Sequence, residues 1–172
     1  MANKKVLSVE IGSKFTRIAE VDYKIKNPRI YHTALMETPE GVMNDGTLVH
    51  TPDFVRNFKA KLSQSGMKSK QVIFTITSTK IASREILIPK VKDNRIAPLV
   101  AANASDYFPV DLSEYELAHF VVDTIRETVD TEKYKVMVYA MAKAMLDSYE
   151  KFALECGLTL VGVDYGGNSL YQ

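Results

Sequence analysis

Five residues, Val72 to Ile76, are apolar at nearly every position. A run this short and this continuous suits a β-strand covered on both faces rather than an edge strand. A strand of that kind needs a layer on either side, so the chain around it is expected to be α/β. The flanking sequence agrees. Thr51-Pro52-Asp53 opens a helix with a capping hydroxyl, a proline at the first helical position and an acid near the positive end of the dipole. Phe54, Val55, Phe58 and Leu62 then recur on one face, and Gly66 supplies the stop. Upstream, Lys5 to Glu10, Phe15 to Val21 and Arg29 to Met36 read as three strands of an antiparallel start. Ile11-Gly12-Ser13-Lys14 joins the first two as a tight hairpin in which Gly12 is expected at positive φ. Residues 40–46 read as a loop.

From Lys80 the pattern restarts. Ile81 to Ile88 reads as a strand ending at Pro89, and Asp93 or Asn94 is expected to cap a helix reaching Tyr107, with Pro98 in its first turn. Glu116 to Thr124 and Tyr134 to Ala142 read as two further strands, separated by a charged linker, Arg126 to Lys133. Met145, Leu146, Tyr149, Phe152, Ala153 and Cys156 recur at helical spacing, Gly157 is placed as a left-handed cap, and Leu158 to Val163 forms a strand. That last helix and strand suggest a return to the first sheet. Tyr165-Gly166-Gly167-Asn168 reads as a turn and a helix start. The expected fold class is α/β with an α+β insertion: one discontinuous subdomain, 1–78 plus 143–172, and an inserted strand-helix-strand-strand subdomain, 79–142.

Several functions are set aside by composition. With 46% apolar residues in 172, the chain has enough to fill a core and disorder is excluded. A formal charge of +1 removes the strong field of a dedicated nucleic-acid or anionic-membrane binder. The halves differ: 15 basic against 8 acidic residues give +7 over 1–90, and 7 against 13 give −6 over 91–172. Arg56, Lys59, Lys61, Lys68 and Lys70 gather around the first helix without interleaved aromatics, so they read as a solvated face and no nucleic-acid partner is expected. His32, His50 and His119 lie far apart, and the lone Cys156 sits on an apolar helix face, which gives no zinc spacing. Serine elbows and the Walker loop are absent, so no catalytic residue is assigned. No secretory pattern and no apolar stretch of about 20 residues is found, which points to the cytoplasm and to no direct membrane insertion.

One segment could carry chemistry. In Val9-Glu10-Ile11-Gly12-Ser13-Lys14-Phe15-Thr16-Arg17, a strand carrying an acid near its end runs into a hairpin with glycine and a hydroxyl. Backbone N–H groups and side-chain donors at Gly12, Ser13 and Lys14 could then meet phosphate oxygens, with Glu10 reaching a metal ion indirectly, through its water shell.

The order of these elements resembles the PilM type of type IV pilus assembly protein in the PilM/FtsA superfamily of actin-like proteins. Val9-Glu10-Ile11-Gly12-Ser13 followed by Arg17-Ile18-Ala19-Glu20-Val21 is similar to that family's first phosphate hairpin. Met43-Asn44-Asp45-Gly46-Thr47-Leu48-Val49, Arg84-Glu85-Ile86-Leu87-Ile88-Pro89, Ala104-Ser105-Asp106-Tyr107-Phe108-Pro109 and Ala153-Leu154-Glu155-Cys156-Gly157-Leu158 resemble later family segments in the same order. The resemblance implies an actin-like, ribonuclease-H-like subdomain carrying the insertion. It also implies a cytoplasmic adaptor, recruited to the inner face of the cell membrane, whose groove between subdomains takes the N-terminal tail of a PilN-like inner-membrane protein.

Two departures limit what the resemblance carries. The family places aspartate where Glu10 stands, and the extra methylene would displace a metal-water contact by roughly an ångström or more. An actin-like nucleotide site also needs a second phosphate loop, here expected beyond Gln172. ATP with magnesium is therefore expected in a full-length protein, with no tight binding to this chain. The alternatives are a nucleotide-binding actin-like switch completed by residues beyond 172, an FtsA-like cell-division protein, and an α/β binding domain whose Gly12 hairpin is only structural.

Overall fold

The computed structural model describes residues 5–22, 27–128 and 131–166. Along the chain run β1 (Val6–Ile11), β2 (Phe15–Asp22), β3 (Arg29–Glu37), β4 (Met43–Asn44), β5 (Thr47–Leu48), α1 (Pro52–Gln64), β6 (Gln71–Ile76) and β7 (Ala82–Pro89). They are followed by α2 (Asp93–Ala102), α3 (Ala104–Tyr107), a 3-10 turn (Leu112–Glu114), β8 (Tyr115–Thr128), β9 (Thr131–Ala142), α4 (Lys143–Glu155) and β10 (Thr159–Tyr165). The chain divides into two compact units: 1–78 with 144–172, and 79–143.

The first unit is built on a five-stranded sheet in the order β10-β6-β1-β2-β3. The first three strands form an antiparallel meander, while β6 runs parallel to β1 and β10 parallel to β6. Both helices of the unit close alike. Thr51 Oγ1 accepts from the Phe54 amide at 3.2 Å to start α1. At its end Gly66, with φ +70°, donates to Ser63 O and Met67 donates to Leu62 O, each at 3.1 Å. At the end of α4, Gly157 (φ +71°) donates to Leu154 O and Leu158 to Ala153 O, each at 2.9 Å. Both are Schellman closures, which the two glycines make sterically free.

The apolar stripes of the two helices meet on one face of this sheet. Phe54, Phe58, Phe74 and Phe152 are each 0% exposed. Phe152 is the hub, with ring centroids 5.3 Å from Phe54, 5.1 Å from Phe58, 6.1 Å from Phe74 and 5.5 Å from His50. The opposite face differs from expectation. In β6, Val72, Phe74 and Ile76 are buried but Gln71, Ile73 and Thr75 are only half-buried. Val72 to Ile76 thus alternates, because among the described residues of this unit both helices lie on one side and no third helix covers the other.

Residues 40–46, read as a loop, instead hold half of a small hairpin, in which Met43 pairs with Leu48 and Asn44 with Thr47. Asp45 (φ 43°) and Gly46 (φ 84°) form its turn with both central residues left-handed, the type that matches strand twist. Ser78 Oγ donates to Asp45 O at 2.8 Å and packs against the turn. A Cβ on Gly46 would lie 2.5 Å from Ser78 Cβ. Gly46→Ala is accordingly expected to lower stability by about 1–3 kcal/mol in urea unfolding, and an unchanged midpoint would contradict that packing.

The second unit is a three-stranded antiparallel sheet, β7-β9-β8, with α2 and the Phe108 ring on one face. Ile86, Ile88, Ile96, Val100, Phe108, Val136, Val138 and Ala140 form its core. Here the structure corrects four expectations. The helix to Tyr107 breaks after Ala102, where Asn103 turns its side-chain amide onto Leu99 O at 2.8 Å. Its N-cap is Lys92, without a side-chain bond, so neither Asp93 nor Asn94 caps it. Pro98 lies within α2, beyond the first turn, and both it and Asn94, whose carbonyl loses its amide partner, are exposed residues. Finally, Arg126 to Lys133 is no linker: Arg126 pairs with Glu132 and Thr128 with Thr131 as the two strands run on into a hairpin. Lys90 Nζ and Glu132 Oε2, 2.7 Å apart, tie that hairpin to the end of β7.

Candidate functional site

The hairpin between β1 and β2 is held by a few specific bonds. Ile11 pairs with Thr16, Gly12 N–H donates to Phe15 O at 3.0 Å, and Lys14 O accepts from Thr38 N–H at 2.9 Å. The buried Thr16 and Thr38 hydroxyls are 2.8 Å apart and lock the base of the loop. Gly12 is not among the residues at positive φ, contrary to the sequence expectation. What favours glycine there is proximity, since a Cβ would stand 3.0 Å from Phe15 O, a tight approach that the turn would have to relieve.

The four expected site residues do not converge. Ser13 and Lys14 are exposed at the hairpin tip. Glu10, half-exposed, looks onto the uncovered face of the sheet, where its Oε2 lies 3.2 Å from Arg17 Nη1 on the neighbouring strand. With both partners this exposed, the pair is easily opened and contributes little stability. Glu10 and Arg17 line a depression of about 620 Å³ with Ser8, Ala19, Thr33, Leu35 and Thr75. Gly12, Ser13 and Lys14 are not part of its lining. The polar neighbours Ser8, Thr33 and Thr75 escaped sequence reading. Period-two alternation sets Ser8 beside Glu10, but Thr33 and Thr75 join them only through the pairing of Ala19 with Thr33 and of Glu10 with Thr75.

The other acid of the hairpin has a different role. Glu20 is 1% exposed, and its Oε1 accepts from the Lys68 and Ser69 amides, each at 2.8 Å. Its Oε2 accepts from His32 Nδ1 at 2.9 Å and lies 3.7 Å from Lys5 Nζ. Burial by itself would push this carboxyl up. The two amide bonds, then His32 and the charge of Lys5, outweigh it and hold the pKa below the ordinary glutamate value. Glu20 is thus a structural anion joining β2 to the segment ahead of β6. Cys156 is equally structural: it is 5% exposed and burial pushes its thiol up to about 12, so it carries no thiolate chemistry.

As a place for magnesium and a nucleotide, the hairpin supplies the Glu10 carboxylate, already shared with a guanidinium, and an exposed tip. No group of three or more His, Cys, Asp or Glu suited to a metal ion occurs among the described residues. This set does not by itself fit a tightly held magnesium nucleotide. No helix among the described residues is long and apolar enough to cross a membrane.

No family profile matches the sequence, and no curated protein matches it. Solved structures do match. A PilM-PilN type IV pilus biogenesis complex superposes with a TM-score of 0.79 at 22% identity, covering 94% of this chain and 47% of that one. The cytoplasmic domain of EpsL, an inner membrane component of the type II secretion system of Vibrio cholerae, superposes with a TM-score of 0.50 at 9% identity, covering 93% of this chain and 57% of that one. The chain therefore shares the fold of the protein seen in the PilM-PilN complex, over about half the length of the solved chains it matches.

Proposed function

We propose that this chain is the partner-binding part of a cytoplasmic adaptor in pilus assembly, and that it takes the N-terminal cytoplasmic tail of a PilN-like inner-membrane protein. The observation that carries this reading is the superposition on the PilM-PilN complex over 94% of the chain. Three features support it. The candidate phosphate hairpin presents a paired Glu10 and an open tip rather than an enclosed nucleotide cleft. The second match, the cytoplasmic domain of an inner membrane component of a secretion system, is likewise a protein that works beside a membrane. Among the described residues β3, β7, β8 and β10 lie at the edges of their sheets, and a short tail can bind as an extended peptide through backbone pairing at an edge and a few side-chain pockets.

Co-expression with the cytoplasmic segment of the inner-membrane protein encoded beside it tests the reading. The expected result is a one-to-one complex that survives gel filtration and disappears when the tail of that segment is deleted. A complex indifferent to the tail would refute the proposed mode of binding.

A second reading is favoured by one observation, the position of Glu10 on the wall of the 620 Å³ depression. In that reading the hairpin contributes one side of a magnesium-ATP site. Saturable binding of magnesium-ATP to this chain, lost in Glu10→Ala, would establish it.

A further inference from the structure

The five basic residues around α1 do not all share one fate. Arg56 is paired with Asp53 at 2.9 Å on the helix surface. Lys59, Lys68 and Lys70 instead rim a cavity of about 380 Å³ between the ends of α1 and α4 and the start of β6. Among the described residues no carboxylate pairs with any of these three ammonium groups, and all three side chains are exposed. The cavity walls are apolar: Leu62, Met67, Cys156 and Leu158, each no more than 8% exposed. Ser63 and Ser69 complete the lining.

The rim is pre-ordered. The Lys68 and Ser69 amides are fixed by the buried Glu20 carboxylate, Ser69 Oγ donates to Lys5 O at 2.7 Å, and Lys70 O accepts from Thr159 N–H at 2.7 Å. A ligand arriving here has little backbone to order, which removes part of the usual entropic cost of binding. The location is also separate from the β1–β2 hairpin. β6 runs parallel to β1, so the cavity lies where these strands start and Gly12 where β1 finishes, on the order of 20 Å away at the usual rise per residue.

Three uncompensated positive charges around an apolar floor define the complementary ligand. We infer that this cavity binds an acidic peptide segment carrying one large apolar side chain, the side chain seated against Leu62, Met67 and Leu158 and its flanking carboxylates meeting Lys59, Lys68 and Lys70. The volume suits one such side chain with adjoining backbone. No aromatic ring lines it for base stacking, and its concavity does not match a planar lipid surface.

The test uses the full chain, isotope-labelled, and a capped peptide in which one leucine is flanked on each side by glutamates. NMR is expected to show saturable shifts of the Met67 methyl and of the Lys68 and Ser69 amides, weakening as salt is raised. Lys59→Glu combined with Lys70→Glu changes only exposed side chains and should leave the rest of the spectrum in place while weakening the peptide at least about tenfold. Replacing the peptide's leucine with alanine should weaken it comparably. Absence of shifts at millimolar peptide, shifts unchanged in the double variant, or binding to phosphatidylglycerol vesicles in place of the peptide would each overturn the assignment.

Discussion

Phe152→Ala is expected to lower the stability of the first unit by about 3–5 kcal/mol, at the severe end for a single substitution. Phe152 is 0% exposed and lies within ring-contact distance of Phe54, Phe58, Phe74 and His50. The cavity left by truncation cannot collapse easily. Its walls belong to two capped helices and a central strand, each fixed by its own hydrogen bonds. Phe152→Leu keeps most of the volume and should recover more than half of the loss. Urea unfolding followed by circular dichroism separates the two, and equal midpoints for Phe152→Ala and the parent chain would contradict the placement of this ring.

Glu20→Ala should be of similar size, about 3–5 kcal/mol, through a different mechanism. Removing the carboxylate strips the Lys68 and Ser69 amides of their acceptor and leaves His32 and Lys5 facing a void. Glu20→Gln retains one oxygen for the two amides and should cost about 1–3 kcal/mol. The carboxyl's folded pKa lies below its unfolded value. Its contribution is therefore complete above the ordinary glutamate range and is lost as pH falls through the folded pKa. The parent chain should lose stability on acidification more steeply than Glu20→Gln, which has no proton to take up at this position. Parallel acid profiles for the two would show that Glu20 is not held as an anion.

Much of the architecture was legible in the residues because local chemistry and tertiary role coincide there. Thr51-Pro52-Asp53 caps α1 whatever packs against it, and Gly66 and Gly157 close helices by the same local geometry. The failures fall where a distant partner decides. Nothing adjacent to Pro98 reveals that it and Asn94, one turn before it, both lie on the exposed side of the helix, so its place inside α2 was unreadable. Charge made Arg126 to Lys133 look like a linker, but cross-strand pairing of Arg126 with Glu132 turns those same charges into a hairpin. Asp45-Gly46 carried a strong hairpin-turn signal that went unread, because two-residue strands are too short to show alternation.

The candidate site was legible only in part. Glu10 was visible as the acid ending a strand, and the structure keeps it on a depression that it shares with Arg17 and three hydroxyl residues. Gly12 stood out as the glycine of the hairpin, but what favours it is the 3.0 Å approach of Phe15 O and not a left-handed backbone. Ser13 and Lys14 depart from the expected cluster because alternation and turn geometry carry them to the tip. Glu20 was quoted only as one residue of a family-like strand. A lone glutamate in an alternating strand looks solvent-facing until the amides of Lys68 and Ser69, nearly fifty positions away, are brought to it.

Binding of a tail peptide can be followed by calorimetric titration. The ligand is a synthetic peptide of the N-terminal cytoplasmic tail of the neighbouring PilN-like protein, added to this chain with and without magnesium-ATP. The proposed adaptor function predicts saturable binding at a one-to-one ratio with the same affinity in both buffers. No heat of binding in either buffer would contradict it, and binding that appears only with magnesium-ATP would assign the Glu10 hairpin to a nucleotide switch instead.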